Sequence, residues 1–296
     1  MRRWLAAALI GCVVTLVACS PPTNEVAVAG TPSQSPTPSA GAFIPAVGDC
    51  FSVRGSDLTE SERVPCSTHH FAEEAFIGSF TGDAAAVGIP PVANSIAMRQ
   101  AYEQCGAPTQ RYLGGDWHSA LMQLELEIPG VVAWRAGARW FRCELWASPL
   151  DGAQQMVGAD VAFRGILAGP TPLSARCITW KGTDTAVHDF EPASCSSPHN
   201  GEYVGAYIAP ARAWPATVKQ QRDIADHGCE NLVAQFVGFP SWQALDNPYV
   251  GYLQLGFDET QWNMGDRSAR CYVAAYTKDG KFVGSVKGIR GRTPKG

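Results

Sequence analysis

Two short patterns hold the residue types that could do chemistry. His70 and Glu73 stand four and seven residues after Cys66, and His199 and Glu202 stand four and seven after Cys195. An imidazole beside a carboxylate can share a proton or hold a metal ion. Neither pair has a third ligand of the usual types, although His69 adjoins the first. The alternative is structural. The histidine then caps a turn after the cysteine, and the glutamate pairs with an arginine such as Arg142 or Arg270. That alternative is the expectation, so no catalytic residue, metal or cofactor is assigned. The chain has no Cys-x-x-Cys, Gly-x-Ser-x-Gly, His-Glu-x-x-His or phosphate-cradling glycine loop. It therefore lacks the usual signatures of redox, acyl-transfer, zinc-peptidase and nucleotide chemistry.

The two patterns belong to a longer repetition. Cys50, Cys66, Cys105 and Cys143 are followed by Cys177, Cys195, Cys229 and Cys271, with gaps of 16, 39 and 38 residues and then 18, 34 and 42. Trp134, Gly137, Arg139 and Arg142 precede Cys143 at the offsets at which Trp262, Gly265, Arg267 and Arg270 precede Cys271. Asp151-Gly152 and Asp279-Gly280 follow the two cysteines identically. Such self-similarity implies a duplicated unit of roughly 120 residues. Eight spaced cysteines without metal-type spacing imply disulfides made outside the cytosol. Repeats that pair independently and alike leave three pairings. The expected one joins first to second and third to fourth: Cys50–Cys66, Cys105–Cys143, Cys177–Cys195 and Cys229–Cys271. Loops of about 40 residues closed in this way contribute about 4 kcal/mol each in the chain-entropy model.

The elements that must position these residues follow from periodicity. Val47–Val53 and Ala72–Phe80 suggest strands. After Pro90-Pro91, Ile96, Ala97, Ala101 and Cys105 recur at helical steps as a buried stripe ending near Gly106. Ile224, Ala225, Cys229, Leu232, Val233 and Phe236 mark a second helix between Pro215 and Gly238. Leu121–Ile128 alternates as a half-buried strand does, and Arg139–Trp146 and Arg267–Tyr276 are strands carrying the fourth cysteines. Trp134 and Trp262, at matched positions, are expected in the cores. The predicted fold class is α+β: two tandem disulfide-stapled domains, 43–168 and 169–296, each a small antiparallel sheet covered by one helix.

Val47-Gly48-Asp49-Cys50-Phe51 and Val64-Pro65-Cys66-Ser67-x-x-His70-x-x-Glu73 resemble the septum-formation domain of actinobacterial envelope proteins. Cys195-Ser196-Ser197-Pro198-His199-x-x-Glu202 carries the later part again, while Ala175-Arg176-Cys177-Ile178 departs from the Gly-Asp-Cys-Phe start. The resemblance covers residues from about 45 to 290 in two tandem copies. It implies a secreted or membrane-attached protein connected with division or envelope maintenance, and brings no biochemical activity with it.

The N-terminus fits that compartment. Arg2 and Arg3 precede an apolar run from Trp4 to Ala18, too short to span a bilayer, which takes ~20 residues. This is the form of a signal peptide, residues 1–18. Leu16-Val17-Ala18-Cys19 resembles a lipobox, making Cys19 the lipidated mature N-terminus; Leu9-Ile10-Gly11-Cys12 fits less well, because apolar sequence follows it. Residues 19–42 are the lipidated N-terminus and a Pro/Ser/Thr-rich linker. At ~3.1 Å per residue, the linker reaches up to about 70 Å. The net charge of −4 excludes a general nucleic-acid binder. Lys278, Lys281, Lys287, Arg290, Arg292 and Lys295 face only Asp279 near the C-terminus. They form either a contact for an anionic polymer or headgroup or, as the expectation, a solvated frayed tail.

The expected protein is an extracytoplasmic lipoprotein of the cell membrane. It is a non-catalytic binding or scaffold module of the envelope or septum, and its partner is an envelope protein or cell-wall polymer. The alternative is an envelope hydrolase or metal-dependent enzyme using the His/Glu pairs. Duplication favours binding, since an enzyme seldom keeps one active site intact in both halves.

Overall fold

The computed structural model describes residues 43–295 apart from 56–57, 151–157, 184–185, 211 and 258. The expected signal peptide, Cys19, the linker and Asp151-Gly152 lie outside the described residues. In the first half, β1 (Cys50–Phe51), β2 (Arg63–Val64) and β3 (Ala72–Ser79) lead through the short α1 (Gly82–Ala86) to the long α2 (Ile96–Leu113). β4 (Met122–Glu127), α3 (Val131–Arg135) and β5 (Trp140–Ala147) follow. In the second half, β6 (Cys177–Thr183), β7 (Ala186–Ala193), β8 (Pro198–His199) and β9 (Gly201–Ile208) precede α4 (Val218–Val237). β10 (Val250–Leu255), α5 (Glu259–Met264), β11 (Ser268–Ala275) and β12 (Phe282–Val283) complete it.

The two main sheets have the same order read through equivalent strands: β2-β1-β3-β5-β4 and β7-β6-β9-β11-β10. All pairings are antiparallel. Cys50–Cys66, Cys105–Cys143, Cys177–Cys195 and Cys229–Cys271 are the disulfides. One bond of each half ties neighbouring strand segments, and the other ties the long helix to the sheet. Alternation sends Phe141, Cys143 and Leu145 of β5 toward α2, where they join Met98, Ala101, Cys105 and Leu113 in one core. On β11, Val273 meets Val233 and Val237 of α4 in the same way.

Both long helices start on hydroxyl caps. Ser95 accepts from Met98 N–H, and Thr217 forms a capping box with Gln220. The first helix departs from expectation at both ends. Ile96 is 65% exposed, so the buried stripe starts at Met98. The helix continues through Pro108 to Leu113, because Thr109, Tyr112 and Leu113 extend the buried face beyond Gly106. The matched tryptophans are fully buried. Each indole donates to a loop carbonyl, Trp134 to Val87 at 2.8 Å and Trp262 to Arg212 at 3.1 Å.

The halves touch through polar and apolar groups. Arg270 donates to the Met122 carbonyl at 2.5 Å and Tyr203 to Asp116 at 2.6 Å, and Leu121 and Leu150 pack in one cluster with Leu253, Tyr272 and Ala274. No helix among the described residues is long and apolar enough to cross a membrane.

Candidate functional site

His70 and Glu73 are brought together, and so are the elements around them. The turn after Cys66 ends with the His70 ring donating from Nδ1 to the Thr68 carbonyl at 2.8 Å. Its Nε2 lies 3.5 Å from a Glu73 oxygen, and both side chains are fully buried. Burial works against a charged imidazole. The Glu73 carboxylate and the Thr68 carbonyl outweigh it and raise the His70 pKa above the ordinary value. Glu73 also accepts from the Tyr112 hydroxyl at 2.5 Å and from the N–H groups of Phe163 and Arg164 at 2.7 and 3.0 Å. Burial and the hydrogen bond to Glu73 push the Tyr112 phenol upward.

The second pair repeats part of the design. His199 donates from Nδ1 to the Ser197 carbonyl at 2.8 Å. Glu202 accepts from Val286 N–H at 2.8 Å and from the Ser285 hydroxyl at 2.5 Å. The helix residue Phe236 occupies the place of Tyr112 and has no hydroxyl, so Ser285 supplies the second donor. Neither glutamate pairs with an arginine, which corrects the sequence expectation. Arg142 serves Glu74 and Arg270 serves Met122.

Each histidine backbone also pairs with the chain returning from the last strand. His70 bridges Ala159, and His199 lies opposite Phe282. Four residues further on, Phe163 and Val286 offer their N–H groups to the glutamates. The returning chain then closes the helix C-terminus. Gly165 and Leu167 donate to the carbonyls of Tyr112 and Leu113, and Gly288 and Arg290 donate to those of Phe236 and Val237. These carbonyls have no partner within their helices. Gly165 and Gly288 have φ of 71° and 66°, a conformation that a side chain would strain. The His/Glu signature is thus a clamp on the returning chain, buried in both halves.

A family model described as septum formation matches residues 47–284 in one span. The chain belongs to the septum formation family. The matched span takes in both sheets, the first clamp and the His199 and Glu202 side of the second. No curated protein and no solved structure matches the chain.

The return segments were not anticipated from the sequence of this family member. Phe163-Arg164-Gly165-Ile166 and Val286-Lys287-Gly288-Ile289 are the matching signal. They lie at unequal distances from Cys143 and Cys271, so counting offsets from the cysteines passes over them. The expected frayed tail is corrected as well. Phe282, Val286 and Ile289 are buried, and Val283 N–H bonds the Lys295 carbonyl.

A second cluster sits on the opposite face of the first sheet. Glu74, Glu144 and Glu125 stand opposite one another across β3, β5 and β4. Arg142 pairs with Glu74 and lies 3.6 Å from Glu144. Arg54 pairs with Glu125 and with Glu144, and stacks 3.8 Å above the Trp146 ring. Burial, together with neighbouring carboxylates, raises the pKa of Glu74 and Glu144 despite the two arginines. Glu125, Glu127 and Glu144 bring oxygens within 4.8 Å of one another, the geometry of a cation site. Arg54 already holds two of the three carboxylates there. A further grouping, Cys50, Cys66 and Glu73, includes a disulfide and offers no thiolates.

Proposed function

We propose that this septum formation protein is a non-catalytic binding or scaffold module on the outer side of the cell membrane, and that its two halves are tandem copies of one unit. The observation carrying this reading is the internal use of both His/Glu pairs. Each glutamate accepts from donors of its own fold, and each pair is buried. A general acid or base must reach its substrate, which the burial of both pairs opposes. The tandem reading is supported by equal strand order, equal disulfide pattern and equal return clamps. Four disulfides fit an oxidising compartment.

The anchoring reading rests on Leu16-Val17-Ala18-Cys19. Lipidation of Cys19, with the linker to residue 42, would hold the folded part near the bilayer, since each buried methylene contributes about 0.8 kcal/mol. Labelling cells with a fatty-acid probe tests it. The wild-type chain should take up label and Cys19→Ala should not. Label retained in Cys19→Ala would reject this anchor. For the non-catalytic reading, purified protein should contain no stoichiometric metal. A metal signal abolished by His70→Ala and His199→Ala would establish the enzyme alternative instead.

A further inference from the structure

The two halves hold one loop alike and dress it differently. Between β3 and α2, Trp134 donates to the Val87 carbonyl at 2.8 Å and Arg139 to the Ala85 carbonyl at 2.6 Å. Between β9 and α4, the matched Trp262 donates to the Arg212 carbonyl at 3.1 Å and Arg267 to the Ala209 carbonyl at 3.2 Å. The side chains on this shared frame are not alike. Val87 stands where Arg212 stands. Val131 and Val132, three and two residues before Trp134, stand where Glu259 and Thr260 precede Trp262. All six are exposed, Val132 at 73%. The second half shows that polar side chains serve at these positions, so the fold does not require valines there.

Ile89 and Val92 extend the apolar set along the same loop, and both are exposed. Val131 lies one helical turn from Trp134, on the face that carries the indole. That indole holds the Val87 backbone, so the two segments border one another. A side chain placed on Gly88 would meet nothing within 4 Å, as expected where a loop projects from the body. Asn94 N–H bonds the Asn263 carbonyl at 2.5 Å and pins the far end of the loop. Segments 84–99 and 128–139 contain Arg99, Arg135 and Arg139 and no carboxylate. Arg99 and Arg139 donate to carbonyls nearby, whereas Arg135 is exposed.

Projecting aliphatic side chains beside a cation suit one kind of surface. Binding sites for folded partners draw most of their energy from Trp, Tyr and Arg anchors, and Val is under-represented among them. Val and Ile have no polar group to satisfy in hydrocarbon, while an arginine at the rim meets anionic headgroups. The chain outside the described residues points the same way. It carries the lipobox-like pattern at Cys19, and residues 20–42 reach up to about 70 Å. A tether of that length keeps the folded part at high local concentration beside a bilayer, where a few aliphatic side chains suffice to select the face turned toward it.

We propose that Val87, Ile89, Val92, Val131 and Val132 form a membrane-docking face that dips into the surface of an anionic phospholipid bilayer, with Arg135 at the headgroups. This deepens the anchoring reading above and rests on that reading only for the nearness of the bilayer.

The test is tryptophan quenching by brominated phosphatidylglycerol, with the full chain on vesicles of equal phosphatidylglycerol and phosphatidylethanolamine. The emission added by Val132→Trp should be quenched about threefold more than the emission added by Thr260→Trp at the matched position. Placing Val131→Glu in the Val132→Trp chain should abolish the difference, because a carboxylate resists entry into hydrocarbon. A melting curve identical to wild type shows that each variant is folded. Equal quenching at the two positions overturns the proposal. So does a dimer, seen by sedimentation, that Val131→Glu dissociates while position 132 stays unquenched; the face then belongs to a second copy. Fatty-acid labelling at Cys19 is read separately. An unlabelled chain that still shows the difference upholds the docking face, and a labelled chain without it rejects the face alone.

Discussion

The halves share a frame and part company on one face. In the first, the surface opposite α2 is a ladder of Glu74, Glu144 and Glu125 held by Arg142 and Arg54. In the second, the equivalent positions are Tyr203, Tyr272 and Leu253, which pack with Ile178 and Leu150. Buried charges cost several kcal/mol each to dehydrate and recover it only through close partners, whereas apolar packing carries no such debt. The shared parts are those that determine chain path: the disulfides, the capped helices and the clamps. The face that no clamp depends on was free to diverge.

The sharpest break should come from removing a counter-charge. Arg142→Met leaves Glu74 and Glu144 buried without their main partner and should destabilise by about 3–5 kcal/mol. Arg270→Met loses its bond to the Met122 carbonyl and should cost about 1–3 kcal/mol. Urea denaturation of both variants measures the difference, and equal losses would mean that the ladder carries no special electrostatic burden.

Clamp removal should act on both halves. Glu73→Ala strands the Phe163 and Arg164 N–H groups and the Tyr112 hydroxyl, and should cost about 3 kcal/mol. Glu202→Ala strands one N–H and one hydroxyl and should cost about 2 kcal/mol. Amide exchange should rise at Phe163 to Leu167 in the first variant and at Val286 to Arg290 in the second. Exchange that rises equally in both segments for either variant would show that the clamps are not separate.

The pH response should distinguish the halves more gently. Glu74 and Glu144 have folded pKa values raised above the unfolded one, and so has His70. The folded state therefore binds more protons, and stability falls as pH rises from the unfolded values toward the raised ones. Between pH 5 and pH 8 the loss should be on the order of 2 kcal/mol. It should appear as faster exchange in β5 than in β11, and Glu144→Gln should flatten it. An unchanged or opposite slope in Glu144→Gln would remove the ladder as its source.

The smallest effect belongs to the seam between the halves. Burial opposes ionisation of Asp116, but hydrogen bonds from His118 and Tyr203 lower its pKa to about 2. That stability is present above the unfolded value and is lost as pH falls from about 4 to about 2. Its side chain is 35% exposed, so solvent screening reduces the contribution to about 1 kcal/mol. A gap between the melting curves of Asp116→Asn and wild type that is smaller at pH 2.5 than at pH 6 would bear this out. A constant gap between the two curves would not.

Much of this was legible in the chain. The cysteine spacing indicated disulfides and their pattern, and matched Trp and Arg offsets marked equivalent strands. His70 and His199 were expected to cap turns, which their Nδ1 bonds do. The partners of Glu73 and Glu202 were not legible. Backbone N–H groups carry no residue identity, and they come from segments 90 and 84 residues away. The charge ladder was hidden for a related reason. Glu125 and Glu127 alternate with Leu124 and Leu126 as the exposed side of any half-buried strand would. Only the crossing of β5 between β3 and β4 sets Glu144 and Arg142 beside them.

Local rules thus indicated by themselves most of the elements and the disulfide pairing, because these depend on spacing along the chain. The tertiary structure decided which groups lost water and which found a partner. Burial of Glu73 and the filling of one trough by Trp146 both depend on strands distant in sequence lying side by side. Dehydration and pairing energies are set by that three-dimensional neighbourhood, which spacing along a chain does not encode.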